Sequence, residues 1–236
     1  MERGIRRVVI AGVLLAITLL LVFARIGMIP VPTPAANATI AHIPAIIGGV
    51  LEGPLVGLII GLGFGFASFM NAGIPMFKDP LVAILPRLFI GVTAAWTYMG
   101  LRRAGRRMLL ALLVVLYGLM LVFSWEAYKI SHWLGLVLVA ASTIGAGALY
   151  WWMRREEVEI IKLAIAAAVG SLTNTVLVLS VAVWRGYLSA GPALMVGVTH
   201  GIPEVIVSAI VTVAVVGTLR HVGRRRARLS GKERKG

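Results

Sequence analysis

Cysteine is absent from the 236 residues, which excludes disulfides, thiolate metal sites and a cysteine nucleophile. Charge is scarce as well. Only 14% of the residues are Asp, Glu, Lys or Arg, against about a quarter in soluble domains. Acidic residues are the rarest part of that set, 9 against 23 Lys and Arg, which leaves a net charge of +14. What fills the chain instead is apolar: 59% of residues are hydrophobic and the mean hydropathy is +0.95. This composition excludes a water-soluble globule, and it excludes disorder, which needs low hydrophobicity. The Lys and Arg lie between the apolar blocks. A membrane protein places them there to set orientation, so the basic excess does not point to nucleic acid.

A hydrocarbon core of about 30 Å needs about 20 apolar residues per helix. The blocks predict a first span from Val8 to Ala24. The stretch from Ile40 to Met70 is interrupted by Glu52-Gly53-Pro54 and predicts two short helices joined by a tight turn. Further spans follow at Leu81–Leu101, Met108–Phe123, Trp133–Met153, Val158–Val183 and Pro192–Leu219. The expectation is an all-α integral membrane protein of eight spans in a single membrane domain. A basic tail, 221–236, is read as a solvated anchor near anionic lipid.

Orientation follows from the cations. With the N-terminus inside, 18 of the 23 Lys and Arg fall on cytoplasmic segments, and 5 fall on the outer side or within spans. This split predicts a multi-pass cell-membrane protein with both termini cytoplasmic. Ala36-Asn37-Ala38 matches the A-x-A pattern of a signal-peptidase site. The apolar run before it is longer than a usual signal core, so we read a retained first span. Pro30, Pro32 and Pro34 then belong to an extended outer loop.

Ionisable residues inside apolar blocks are functional candidates by default. Here they are His42, Arg87 and Glu204, with Glu52 at the cytoplasmic turn. Asn37, Thr39, Asn71, Thr173 and Asn174 are the uncharged polar candidates. Arg87 is expected about two turns into its helix from the outer end. An anionic ligand would offset the cost of burying it, and so would an internal pair with Glu204 or bonds to helix carbonyls. Pro86, just before it, leaves backbone carbonyls one turn back without a donor. Gly201 and Pro203 around Glu204 predict a local helix break of the kind that lines membrane cavities.

Catalytic patterns are missing. The chain has no G-x-x-x-x-G-K-[ST], no H-E-x-x-H and no G-x-S-x-G, so it carries no P-loop, zincin or nucleophile-elbow signature. Neither a metal nor a cofactor is called for, and no enzyme is expected. Gly61, Gly63 and Gly65 alternate in an apolar run and are better explained by close helix packing. Gly12-x-x-x-Ala16, next to Ala11, is a small-xxx-small pair on the first span.

The chain resembles the substrate-binding S component of energy-coupling factor (ECF) vitamin transporters, and within them the pantothenate-type branch. The resemblance is carried by Asn37-Ala38-Thr39, the run from His42 to Gly49, Leu51 to Gly57, Phe64 to Asn71, Leu85 to Gly91, Gly170 to Thr175, and Gly201 to Glu204. It covers roughly 5–105 and 158–220. It implies a six-helix S-component core with a ligand cavity near the outer face. It also implies a transmembrane T subunit and two ATP-binding-cassette ATPases as partners, with Ala11, Gly12 and Ala16 docking onto the T subunit. Residues 106–157 depart from the pattern and are read as an inserted helical hairpin of two extra spans.

The function expected is capture of a small vitamin at the outer face for ATP-driven uptake by the partner subunits. Asn37, His42, Asn71, Arg87, Asn174 and Glu204 are the expected substrate contacts. Pantothenate is favoured, because its carboxylate suits Arg87 and its hydroxyl and amide groups suit Asn71 and Asn174. Folate or another carboxylated vitamin is the alternative. So is a self-sufficient proton-coupled carrier using His42, Arg87 and Glu204.

Overall fold

The computed structural model describes residues 2–30, 37–130 and 132–233. The chain divides into two compact units, Met1–Met99 with Leu163–Gly236, and Gly100–Lys162. Ser131 and most of the proline-containing stretch after Pro30 lie outside the described residues.

The first unit opens with α1 (Glu2–Phe23) and a short antiparallel pair, β1 (Met28–Pro30) and β2 (Asn37–Thr39), with Met28 opposite Thr39. The sequence reading had only an extended loop here. Then come α2 (Ile43–Glu52) and α3 (Pro54–Met70). Gly53 alone joins them, at φ 99° and ψ 176°, a backbone region reserved for glycine. Pro54 starts α3 where no N–H is needed. The predicted tight turn at Glu52-Gly53-Pro54 is therefore present. Glu52 also faces Arg6 and Arg7 of α1 at 3.2 and 3.6 Å, so the start of α1 and the α2–α3 turn share one end of the unit.

Residues 43–50 of α2 are buried all round, as befits a short helix that is apolar on every face. Its core partners include Val56, Ile60 and Phe64 of α3. Glycine makes the close approach possible. A Cβ on Gly57 would stand 2.6 Å from the backbone carbonyl carbon of Gly91, and Gly61 and Gly65 on the same face of α3 meet the backbone of Arg87 and Ile84. Gly63 points the other way, at Leu15 of α1.

The chain continues through a 3-10 turn (Pro75–Lys78), α4 (Pro80–Ala83) and α5 (Leu85–Gly100), where one helix was expected. Asp79 caps α4 by accepting from the Leu81 amide at 2.9 Å. The second unit is the helical pair α6 (Arg106–Ile130) and α7 (His132–Arg155), preceded by a 3-10 turn at Leu101–Arg103. The second unit ends in the first turn of α8 (Val158–Trp184), and the first unit resumes from Leu163 with the rest of α8 and α9 (Ala190–Glu233). The break expected near Gly201–Glu204 is not there. The helix runs through Pro203, which faces outward and removes only its own ladder bond.

Among the described residues, four helical segments are long and apolar enough to cross a membrane: Gly4–Phe23, Pro80–Arg103, Val158–Trp184 and Ala190–Arg220. The apolar α2 and α3 are shorter. The lipid-compatible surface is large, with Val8, Val13, Leu55, Phe66 and Trp96 all more than half exposed.

Candidate functional site

The polar side chains of the first unit converge from four elements. On α9, His200, Glu204, Ser208 and Thr212 recur every fourth residue and are all buried, so they form one inward stripe. On α8, Ser171 and Thr175 are one turn apart and also buried. The two helices meet as a ladder of two rungs. In one, Glu204 Oε1 accepts from the Thr39 amide at 2.6 Å and Oε2 accepts from the Thr175 hydroxyl at 3.4 Å. In the other, Nε2 of His42 lies 3.1 Å from Ser171 Oγ and 2.9 Å from Ser208 Oγ. His42 stands at the N-cap of α2 but makes no cap bond, so its ring is free to reach inward.

Arg87, only 4% exposed, is held from three directions. Its Nη1 donates to the carbonyl of Val82, the group that Pro86, four residues on, leaves without a helical donor. Its guanidinium lies over the rings of Phe64 and Phe77, at 5.5 and 4.9 Å from their centroids. It is within Coulombic range of Glu204 and His42. Among the described residues, however, no ion pair joins Arg87 to Glu204. Of the offsets weighed for this cation, the carbonyl bond is realised and the internal pair is not.

Three buried polar atoms of these expected residues have no hydrogen-bond partner: Nε of Arg87, Oδ1 of Asn174 and Nδ1 of His42. A buried group left so costs on the order of 1–3 kcal/mol. The remaining candidates are placed differently. The amide of Asn71 donates to the Val22 carbonyl at 2.9 Å and ties the end of α3 to α1. Thr173 reaches Thr93 of α5 at 2.9 Å rather than the ladder. Asn37 sits in β2, and its side chain lies outside the described ones. On α1, Gly12 and Ala16 are exposed with Val9, Val13 and Leu20, while Ala11 packs partly on the core.

Sequence reasoning passed over Ser208 and Thr212, although the four-residue repeat from His200 would have found them. It also passed over Asp79. This carboxylate accepts from Arg185 Nε at 2.7 Å and from the Tyr187 hydroxyl at 3.4 Å. The bond from Arg185 holds the Asp79 carboxyl below the usual carboxylate range, and the Arg185 guanidinium is raised in turn. Near this pair, Met76, Val82, Val178, Ala182 and Val196 form a second apolar cluster.

A polytopic helical bundle that buries hydroxyls, a carboxylate, an imidazole and a caged guanidinium, with three of their atoms unpartnered, is the architecture of a membrane solute-binding protein. The chain belongs to the family of ECF transporter substrate-specific components, whose model matches residues 6–216. No curated protein matches it. Members of this family are substrate-binding membrane subunits, not enzymes, and they associate with ECF T and ATPase modules.

Proposed function

We propose that this subunit captures a small carboxylated vitamin, with pantothenate favoured, from the outer face and hands it to an ECF T subunit and two ATPases. The observation that carries the reading is Arg87. Its Nη1 donates to Val82 and two phenyl rings lie near the guanidinium, while Nε on its in-plane edge is a buried donor without a partner. A carboxylate pairs with guanidinium in that plane. Oδ1 of Asn174 is an unpartnered acceptor suited to a hydroxyl or amide donor of the same solute. Folate, or another carboxylated vitamin, meets the same chemistry. Asn71 contributes less than the sequence suggested, because its amide is engaged on Val22.

The docking face for the T subunit is the exposed side of α1 around Gly12 and Ala16, where small residues let a second helix come close. The arrangement in the membrane is eight spans with both ends cytoplasmic, α6 and α7 supplying two of them. These helices have 25 and 24 residues. Exposed Trp133 and Trp151 lie at opposite ends of α7, about 27 Å apart at 1.5 Å per residue. That spacing suits aromatic anchors at the two interfaces.

The test is calorimetric titration of purified protein and of Arg87→Lys with pantothenate, folate and an amide analogue of pantothenate lacking the carboxylate. An ammonium cannot reproduce the fork, so Arg87→Lys is expected to weaken acid binding about a hundredfold or more. Equal binding of acid and amide by the parent, or unchanged binding by the variant, overturns the role of Arg87. Uptake by the isolated subunit driven by a pH gradient alone would favour the proton-coupled carrier instead.

A further inference from the structure

The second unit collects seven cations at its base, Arg102, Arg103, Arg106, Arg107, Arg154, Arg155 and Lys162. Two of them are occupied internally. Arg106 donates from Nη1 to the Arg154 carbonyl at 2.7 Å and from Nη2 to the Glu156 carbonyl at 2.6 Å. It thereby satisfies carbonyls that the end of α7 leaves without helical donors, and it clamps the start of α6 to the end of α7. Lys162, buried, donates to the Arg102 carbonyl at 2.9 Å and fixes the 3-10 turn.

The other five are exposed, and among the described residues none of them forms an ion pair with a carboxylate. Two are oriented by aromatic rings one helical turn back. Arg154 lies over Tyr150 at 5.3 Å and Arg155 over Trp151 at 4.1 Å. A guanidinium held over a ring face keeps N–H groups for an acceptor, and phosphate oxygens match its fork. Tyr and Trp are also the residues that settle at headgroup depth.

We infer that the base of the α6–α7 pair is a preorganised site for the phosphate of an anionic phospholipid headgroup. Arg102, Arg103, Arg107, Arg154 and Arg155 are its donors, and Arg106 and Lys162 fix the backbone that carries them. The site is independent of the solute-binding reading, since it uses no residue of the first unit. A basic cluster next to membrane helices attracts anionic lipid at about 1 kcal/mol per cation. This corresponds to about a fivefold change in apparent affinity for each one removed.

The experiment uses the full-length protein in nanodiscs of phosphatidylcholine with rising phosphatidylglycerol, read by thermal unfolding midpoint and by native mass spectrometry of retained lipid. The parent is expected to gain stability with phosphatidylglycerol and to retain it. R102Q/R103Q/R154Q/R155Q is expected to lose both effects, with retained phosphatidylglycerol down by well over tenfold. If that variant fails to fold, R154Q/R155Q, whose side chains are exposed, carries the test with a loss of about twenty-five-fold. A second full-length variant, R224Q/R225Q/R226Q/R228Q, neutralises most of the tail and is expected to lose less of the effect than the base variant does. Loss with the tail variant rather than the base variant overturns the site. So does an equal response to phosphatidylcholine alone. A midpoint shift reproduced by inorganic phosphate in phosphatidylcholine nanodiscs assigns the base to free anion and overturns the lipid assignment. Release of phosphatidylglycerol only when T and ATPase subunits bind would make the surface a protein interface and overturn it too.

Discussion

Glycine separates the two units of this chain more sharply than hydrophobicity does. In the first, a Cβ added to Gly49, Gly57, Gly61 or Gly91 would strike the backbone of a neighbouring helix. In the second, a Cβ on Gly118, Gly145 or Gly147 would meet nothing within 4 Å. Both units are built from apolar helices, yet among the described glycines those that a neighbouring backbone would crowd all lie in the first. An apolar run therefore says that a helix belongs in a membrane, and not whether its face meets lipid or protein. The steric demand at its glycines answers that second question.

The largest expected effect tests that closeness directly. Gly57→Ala puts a methyl 2.6–2.8 Å from the Gly91 backbone, which cannot rotate away as a side chain can. Overpacking of this kind costs about 1–3 kcal/mol or more. The unfolding midpoint in detergent should fall clearly, and solute binding should fall with it because Gly61 and Arg87 sit on the same seam. A Gly57→Ala protein as stable as the parent would mean that α3 and α5 are not in backbone contact.

Next is the rung of the ladder built on His42. His42→Phe keeps the bulk but removes the ring nitrogen between Ser171 and Ser208. Interhelical hydrogen bonds in membranes average about 0.6 kcal/mol, with larger cases near 1.7. The loss should come to about 1–3 kcal/mol for the two together. Ser208→Ala alone should cost less than His42→Phe, and the reverse order would show that the ring is not the shared partner.

How much of this was legible in the sequence depended on the range of the interaction. Apolar blocks and the Glu52-Gly53-Pro54 signal placed α1, α2 and α3 well, because spans and turns are local. The relation of Arg87 to Pro86 was legible too, since a proline frees a carbonyl four residues back and a long cation can reach it. The Gly201–Pro203 pair misled. Proline removes one bond, and a helix held on both sides of it does not have to open. Ser208 and Thr212 were written in the four-residue repeat that begins at His200, but single hydroxyls in apolar helices carry little weight until the repeat is noticed. The partner of Asp79 lies 106 residues away, and nothing local announces a contact of that range.

That pair gives the third prediction, a pH dependence. Arg185 depresses the folded carboxyl of Asp79, so the pair adds stability that is fully present above the unfolded carboxyl value of about 3.9. The contribution is lost as pH falls through the lower folded value. Midpoints of the parent and of Asp79→Asn should differ at neutral pH, and the gap should begin to close as pH falls below about 4. Arg185 is largely exposed, so salt should narrow the neutral-pH gap. Asn can accept from the Leu81 amide as Asp does, so a gap that stays constant as pH falls would show that the pair with Arg185 is not its source.

The smallest effect returns to glycine and closes the contrast from the other side. Gly118 and Gly145 lie inside α6 and α7 with open space where a Cβ would go. In a helix interior, alanine is favoured over glycine by about 0.5–1 kcal/mol, because the backbone has less freedom to lose. A detergent-unfolded membrane protein keeps much of its helix, which shrinks that difference further. Gly118→Ala and Gly145→Ala should therefore leave the midpoint unchanged or slightly raised, the opposite sign to Gly57→Ala. If either lowered the midpoint as far as Gly57→Ala does, that face of the helix would be in backbone-tight contact. The steric demand at the glycines of the second unit would then match that of the first, and the distinction drawn from them would fail.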